Sequence, residues 1–232
     1  MKSVADKIIA FNRKLHYEGQ LPERIRIMNP FREHKQVLPV AEQFYRRFYN
    51  DNNKRILILG INPGRLGSGV TGVPFTDTKR LEEKCGIMIP GLHTHEPSSV
   101  FMYDMIDVYG GVVSFYNDVY ISSACPLGFT RINEAGKEVN YNYYDSKALQ
   151  EAVLPFIEWN LKQQIAIGCS TETCFCLGTG KNFKFLEALN KKMKLFDRIV
   201  PLEHPRYIMQ YKLKNKQHYV NDYVMKLKSV NA

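Results

Sequence analysis

The stretch Arg55-Ile56-Leu57-Ile58-Leu59-Gly60-Ile61 decides the fold of this 232-residue chain. Its apolar residues follow one another without alternation, as expected of a strand that is buried on both faces of a parallel sheet. Similar short runs recur at Asp118–Ser123, Thr173–Leu177 and Arg198–Leu202. These runs predict three further strands of the same sheet.

Helical patterns lie around and between the four predicted strands. Apolar residues spaced three and four apart predict helices over Val4–Leu15, Val37–Tyr49, Ser99–Tyr109, Asp145–Leu161, Lys181–Met193 and His218–Val230. Strands that alternate with helices are typical of a mainly parallel sheet covered on both faces. We therefore predict one α/β domain over residues 1–232, a three-layer α/β/α sandwich around a central, mainly parallel four-stranded sheet. Residues 1–50 are expected to be a helical extension packed on it.

The composition excludes several classes of protein. Hydrophobic residues make up 44% and charged residues 24% of the chain, which excludes a disordered or collagen-like chain. No stretch approaches the roughly 18 consecutive apolar residues of a membrane-spanning helix, and the N-terminus carries charges where a signal peptide needs apolar residues. The five cysteines are an odd number without zinc or iron–sulfur spacing. We expect a cytoplasmic monomer with reduced thiols, no metal, no cofactor and no membrane partner.

The charge is the most informative part of the composition. The chain carries 32 Lys and Arg against 23 Asp and Glu, a net charge of +9. Residues 181–232 hold 12 of these cations and 4 of the acids, whereas residues 1–180 hold 20 and 19. A basic surplus favours a polyanionic partner, nucleic acid first. Because the surplus is concentrated near the C-terminus, we expect that end to meet the phosphates.

Four loops follow the predicted strands, at Asn62–Gly64, Ser123–Pro126, Gly178–Lys181 and Glu203–Arg206. Ligands of open α/β sheets bind beyond the carboxyl ends of the strands, so we expect these loops to converge on one cleft.

Each candidate side chain in this cleft also has an ordinary structural interpretation. Asn62 offers an amide that can hold a water molecule, and Phe75 offers a flat face, but a glycine-rich loop alone is usually a turn. His204 alone is most simply a structural hydrogen-bonding residue, whereas beside Asn62 a catalytic role becomes reasonable. The Gly178–Lys181 turn lacks the spacing and the hydroxyl of a P-loop, and His93–Glu96 reads as an exposed loop without further metal ligands.

Combined in this order, the motifs resemble those of the uracil-DNA glycosylase superfamily. Gly60–Gly64 and Thr71–Phe75, followed far downstream by His204-Pro205, are similar to the motifs of its single-strand-selective monofunctional branch, and Ala124–Leu127 is similar to a fourth. The resemblance covers roughly Arg55 to Tyr211 and implies a glycosylase fold, with DNA, single-stranded or uracil-containing, as the partner.

The resemblance also implies roles for individual residues. Asn62 would position the water that attacks the sugar C1′, and Gly64 would lie beside the C5 edge of the base. Phe75 would stack on the flipped uracil. His204 would donate a hydrogen bond to uracil O2 as negative charge develops there, and no metal is needed.

Two departures from the family pattern concern base and DNA binding. The family usually reads the uracil amide edge with an Asn, where this chain has Ser123, and a hydroxyl cannot make the paired contacts of a carboxamide. The family's wedge motif is changed as well, and Arg206 or Tyr207 falls at its position. We expect Lys181 and Lys212 to bind DNA together with these two residues.

The sequence thus predicts a monofunctional glycosylase that hydrolyses the N-glycosidic bond of uracil or a related damaged pyrimidine in base excision repair. Two alternatives stay open. The first is a non-catalytic nucleic-acid-binding protein that keeps the fold while Ser123 disables the base pocket. The second is a small-nucleotide enzyme that uses the Gly178–Lys181 turn.

Overall fold

The structure is a computed structural model that describes residues 2–230; residue 1 and residues 231–232 of the predicted domain lie outside the described part. In chain order its strands are β1 (Ile25–Met28), β2 (Arg55–Gly60), β3 (Val119–Ser123), β4 (Gly128–Ile132), β5 (Glu138–Tyr141), β6 (Cys169–Leu177) and β7 (Arg198–Leu202). The helices are α1 (Val4–Lys14), α2 (Pro30–Glu33), α3 (Val37–Phe48), α4 (Ser68–Thr71), α5 (Thr78–Cys85), α6 (Pro97–Tyr109), α7 (Gly111–Asp118), α8 (Lys147–Ala166), α9 (Lys181–Met193), α10 (Pro205–Tyr211) and α11 (Lys216–Lys228).

A four-stranded sheet in the order β3-β2-β6-β7 forms the centre of the molecule, and its neighbouring strands are all parallel. Leu57, Ile58 and Leu59 on β2 are fully buried, because helices cover the sheet and leave neither face of this central strand to water. The predicted α/β sandwich around a parallel four-stranded sheet is therefore confirmed. All four strands end at the same edge, where Gly60 of β2 lies beside Ser123 of β3.

A second, antiparallel sheet in the order β1-β4-β5 was not predicted. Its strands have four or five residues and are partly exposed, so no continuous apolar run marks them. The sheet also changes the description of residues 1–50, which we predicted to be helical. They contain β1 as well as three helices, and β1 pairs with β4 far along the chain.

The N-terminal segment is tied to the rest of the fold by backbone hydrogen bonds. The Val4 N–H donates to the Asp51 carbonyl at 2.7 Å, and the Ala5 N–H donates to the Tyr49 carbonyl at 2.8 Å. Within residues 2–230, no helix combines the length and the apolar character that crossing a membrane requires.

Candidate active site

A cavity of about 390 Å³ opens at the carboxyl edge of the parallel sheet. The loops that follow β2, β6 and β7 contribute to its wall, as does the last residue of β3. Of the nine residues that we predicted for the site, eight line this cavity: Asn62, Gly64, Phe75, Ser123, Lys181, His204, Arg206 and Tyr207. The ninth, Lys212, is exposed to solvent just beyond α10 and does not line the cavity.

The amide of Asn62 is held from the side of the second sheet. Its Nδ2 donates to the Tyr141 carbonyl at 3.2 Å and to the Pro63 carbonyl at 3.4 Å, and its Oδ1 accepts the Tyr143 N–H at 3.1 Å. A carbonyl oxygen has two lone pairs, so Oδ1 keeps one for a further donor. The amide is thus fixed in orientation and can still accept a hydrogen bond from a water molecule.

The loop from Thr71 to Phe75 places an aromatic ring in the cavity wall. The buried Thr71 hydroxyl donates to the Thr76 carbonyl at 2.7 Å and accepts the Val73 N–H at 3.1 Å. Gly72 adopts a left-handed conformation with φ of +69°, and Phe75 itself has φ of +53°. A left-handed backbone is uncommon for a bulky residue and tends to occur at functional sites. The loop therefore holds the Phe75 ring in one defined place.

Gly60, the last residue of β2, leaves the space that the Phe75 ring occupies. A Cβ atom at Gly60 would lie 2.8 Å from Phe75 Cε2 and 3.0 Å from Cζ. This is closer than real Cβ atoms come to a ring, so the absence of a side chain at Gly60 is what allows the ring to lie against the strand end.

His204 forms the N-cap of α10, and this role determines its tautomer. Its Nδ1 accepts the backbone N–H of Arg206 at 3.1 Å, so the proton of the neutral ring is on Nε2. Burial, together with the positive charge of Arg206, lowers the pKa of His204 from 6.5 to about 4. Its ring centroid lies 6.0 Å from that of Phe75. The neutral ring therefore brings a hydrogen-bond donor close to an aromatic face.

Ser123 is buried at the end of β3, and its hydroxyl makes no hydrogen bond to any of residues 2–230. Its backbone carbonyl accepts a hydrogen bond from Gln164 Nε2 at 3.2 Å, which ties this strand end to α8. The serine side chain is thus available to a ligand in the cavity.

Glu96 belongs to the site, although its segment was interpreted as an exposed loop. His93 and His95 are exposed, whereas the Glu96 carboxylate lies in the cavity wall against Gly67, and a Cβ at Gly64 would lie 3.5 Å from Glu96 Oε1. Burial and the nearby charge of Asp77 raise the pKa of Glu96, while Arg206 opposes this shift. The cavity therefore contains an acid whose proton is held more tightly than usual.

Further polar residues that were not predicted for the site also line the cavity. They include Ser98, Asn140, Asn142, Tyr144 and Asn182. The buried Asn182 accepts the Tyr143 hydroxyl at 2.7 Å and donates to the Leu177 carbonyl at 3.0 Å. It follows the Gly178–Lys181 turn directly, at the position where a P-loop has a hydroxyl, and here the amide joins the turn to Tyr143.

The comparisons with known proteins agree with this architecture. The family described as the uracil DNA glycosylase superfamily matches residues 47–228, and the chain belongs to this superfamily of DNA glycosylases. The fold and the order of motifs around the cavity thus define the class of the protein, and the resemblance seen in the sequence is confirmed.

One solved structure is similar to this chain over its whole length. The crystal structure of wild-type SMUG2 from Pedobacter heparinus superimposes with a TM-score of 0.97 at 58% sequence identity. The match covers 100% of this chain and 99% of that one. No curated protein sequence matches the chain.

Proposed function

We propose that this glycosylase hydrolyses the N-glycosidic bond of uracil, or of a related damaged pyrimidine, in DNA. The observation that carries the proposal is the shared cavity of Asn62, Phe75 and His204, in which the amide keeps a free acceptor and the imidazole keeps a proton on Nε2. Each of the three groups suits one requirement of the reaction.

Binding begins with a base outside the stack. Extruding a nucleotide costs a few kcal/mol, and the cost is smallest in single strands. Stacking on the Phe75 ring returns about 1–3 kcal/mol. The left-handed backbone of Phe75 and the space left by Gly60 keep the ring in place before the base arrives.

The bond between C1′ and the base nitrogen then breaks with charge separation. The electron pair of the bond moves onto the base, and His204 Nε2–H donates a hydrogen bond to the O2 atom of the resulting anion. A fixed donor is effective there because it acts where charge develops. A neutral imidazole donates without surrendering its proton, which fits a pKa of about 4.

Asn62 is proposed to hold the attacking water through the second lone pair of Oδ1. The water oxygen forms a bond to C1′, one water proton neutralises the base anion, and the products are free base and an abasic sugar. Tyr141 and Tyr143 keep the amide oriented through the backbone. Tyr141 and Tyr143 are therefore positioning residues, and in this mechanism they make no contact with the reacting atoms.

The test is an excision assay on single- and double-stranded oligonucleotides that contain deoxyuridine. We expect alkali-labile abasic sites with the wild type and none above background with the Asn62→Ala/His204→Ala double variant. His218→Ala is the matched control, because His218 is exposed on α11 and does not line the cavity. Equal strand cleavage by wild type and double variant would contradict the proposal.

Ser123 favours a second candidate function, a DNA-binding protein that excises no uracil. The lone hydroxyl offers one donor, where a carboxamide would offer a paired contact. Such a protein would bind DNA with a steep salt dependence and release no base. The variant Ser123→Asn separates the two: a gain of uracil excision from an inactive wild type would support the binding protein, whereas an altered lesion preference in an active wild type would support the glycosylase.

The remaining predictions of the sequence stay proposals. We propose that Arg206, Tyr207 and Lys181 contact DNA at the mouth of the cavity and that Lys212 contacts a phosphate farther out. We also propose that the chain acts as a cytoplasmic monomer of one domain without a cofactor. Size-exclusion chromatography with light scattering tests the monomer, and a mass near twice 26.9 kDa would contradict it.

A further inference from the structure

Two exposed tyrosines stand at the mouth of the cavity on helix α10. Tyr207 is 39% exposed and Tyr211 is 65% exposed. Residues four apart share one face of a helix, and the ring centroids of these two lie 5.3 Å apart with planes tilted by 45°. The opposite side of α10 is occupied by Pro205 and Ile208, which are buried. We call Tyr207 and Tyr211 the tyrosine pair.

Packing within the protein does not explain the tyrosine pair. Among residues 2–230, neither hydroxyl has a hydrogen-bond partner, and the Tyr211 side chain is mostly in water. Both rings line the same cavity as Phe75 and His204. An aromatic face at the edge of a base-binding cavity is suited to another flat, apolar group.

The charges around the tyrosine pair identify the kind of ligand. Arg206, Lys212 and Lys214 are exposed on or just after α10, and none of them forms an ion pair with any residue of the described range 2–230. The acids nearby, Glu96 and Glu203, lie in the cavity wall. Arg206 and Lys181 also line the cavity, so its wall carries both signs of charge. The surplus of cations lies along α10 and just after it, which suits a strand whose phosphates pass over α10.

We propose that the tyrosine pair is a stacking platform for a nucleobase that flanks the target nucleotide in a single DNA strand. The inference rests on the proposed function, because it takes the cavity as the site of the target base. Stacking of bases on aromatic side chains is tolerant of sequence, since every base has a π-face. In duplex DNA the flanking base is already stacked on its neighbours, so the platform favours single strands.

The decisive experiment compares two oligonucleotides that carry a non-hydrolysable 2′-fluoro-2′-deoxyuridine target. In the first the flanking nucleotides are thymidines, and in the second they are tetrahydrofuran residues that keep the phosphates and lack the bases. Binding is measured by fluorescence anisotropy, and excision is measured separately with ordinary deoxyuridine between the same flanks.

We expect Tyr211→Ala to weaken binding of the thymidine-flanked strand by about 5- to 150-fold, which corresponds to the loss of one stacked base. Binding of the tetrahydrofuran-flanked strand should not change. Tyr211→Phe should bind as the wild type does, because it keeps the ring. Trp159→Ala is the matched control, since Trp159 is 64% exposed on α8 and does not line the cavity.

Two results would overturn the platform. One is an equal loss on both strands, which would assign Tyr211 to phosphate binding or to the fold. The other is unchanged binding of both strands by Tyr211→Ala, which would show that the exposed ring does not bind DNA and serves another partner, such as a protein. Failure of the proposed function is a separate result: a chain that prefers thymidine flanks in the anisotropy assay and excises no uracil keeps the platform and loses the reaction.

Discussion

The two ends of strand β2 use polar groups in opposite ways. At its start, Arg55 is only 1% exposed, and all five of its guanidinium N–H donors find acceptors. Nη1 and Nη2 donate to the two carboxylate oxygens of Asp51 at 2.8 and 2.7 Å, Nε donates to the Tyr116 carbonyl at 2.8 Å, and the carbonyls of Asn53 and Phe48 accept the rest.

At the other end of the same strand, polar groups are left with free capacity. Asn62 keeps an acceptor lone pair, His204 keeps a donor, and the Ser123 hydroxyl makes no hydrogen bond to the residues described. Buried polar groups are normally satisfied by the protein. The contrast separates the two ends: the start of β2 stabilises the fold, and its end is shaped for a ligand.

The largest effect is expected at the closed end, from Asp51→Asn. The substitution leaves the buried Arg55 charge uncompensated, which typically costs about 3–5 kcal/mol, and we expect the lower end of this range because the Asp51 side chain is 34% exposed. We expect a fall of that size in the free energy of unfolding measured with urea, and an unchanged rate of excision per folded molecule. Glu42→Gln is the control, because it breaks an exposed pair with Arg13 that is worth about 0–1 kcal/mol. Equal losses in the two variants would remove the contrast between the ends.

At the open end, His204→Ala should lower the single-turnover rate of excision by about 10²–10³, the usual effect of removing one donor to a developing anion. The free energy of unfolding should fall by about 0.5–2 kcal/mol, because α10 loses its N-cap. His204→Asn distinguishes the two roles, since asparagine is a good N-cap. It should restore stability without restoring the rate, and recovery of both would show that His204 acts through the helix alone.

The fold was predictable because its centre depends on one local signal. A strand that is buried on both faces is apolar along its length, so β2, β3 and the buried second half of β6 appear as short, mainly apolar runs. The edge strand β7 is only partly buried, but it is apolar after Arg198 and was recognised in the same way. The second sheet has no such signal, since β5 is partly exposed and half of its residues are polar. The pairing of β1 with β4 joins Ile25–Met28 to Gly128–Ile132, which are far apart in the chain, and the periodicity within one segment cannot report such a contact.

The lining of the candidate site was predictable from strand order where a loop directly follows a central strand. Asn62 and His204 were expected at one cleft because parallel strands end at one edge, whereas Phe75, which follows α4, was proposed from the resemblance of its motif. Glu96 and Tyr143 were missed, since Glu96 lines the cavity and Tyr143 contacts Asn62 from segments outside the parallel sheet. Tyr143 orients Asn62 through its backbone N–H, a group that every residue except proline has. No residue type in the sequence therefore marks this contact, and it becomes visible only in the structure.

A smaller effect is expected from Gly60→Ala, which tests whether the end of β2 is shaped for the Phe75 ring. The added methyl group displaces the ring, and overpacking of this kind costs about 1–3 kcal/mol. We expect weaker binding of an oligonucleotide with a non-hydrolysable target, measured by anisotropy. In a Phe75→Ala background the same substitution should have no further effect, because the contact is gone. Additive losses would show that Gly60 acts on something other than the ring.

The smallest effect on excision is expected from pH, and it again separates fold from function. In the unfolded chain His204 takes up a proton near pH 6.5, whereas in the folded protein its pKa is about 4. The unfolded state therefore binds more protons between these values, and the contribution of His204 to stability declines as the pH falls from 6.5 to 4. From pH 6.5 down to about pH 5, the folded ring stays largely neutral and keeps its proton on Nε2. We expect a single-turnover rate that shows no inflection between pH 8 and 5, while the urea midpoint falls below pH 6.5 and does so less in His204→Asn. A rate that follows a pKa near 6.5 would mean that His204 is open to water, and the distinction between the two ends of β2 would then fail for its most important residue.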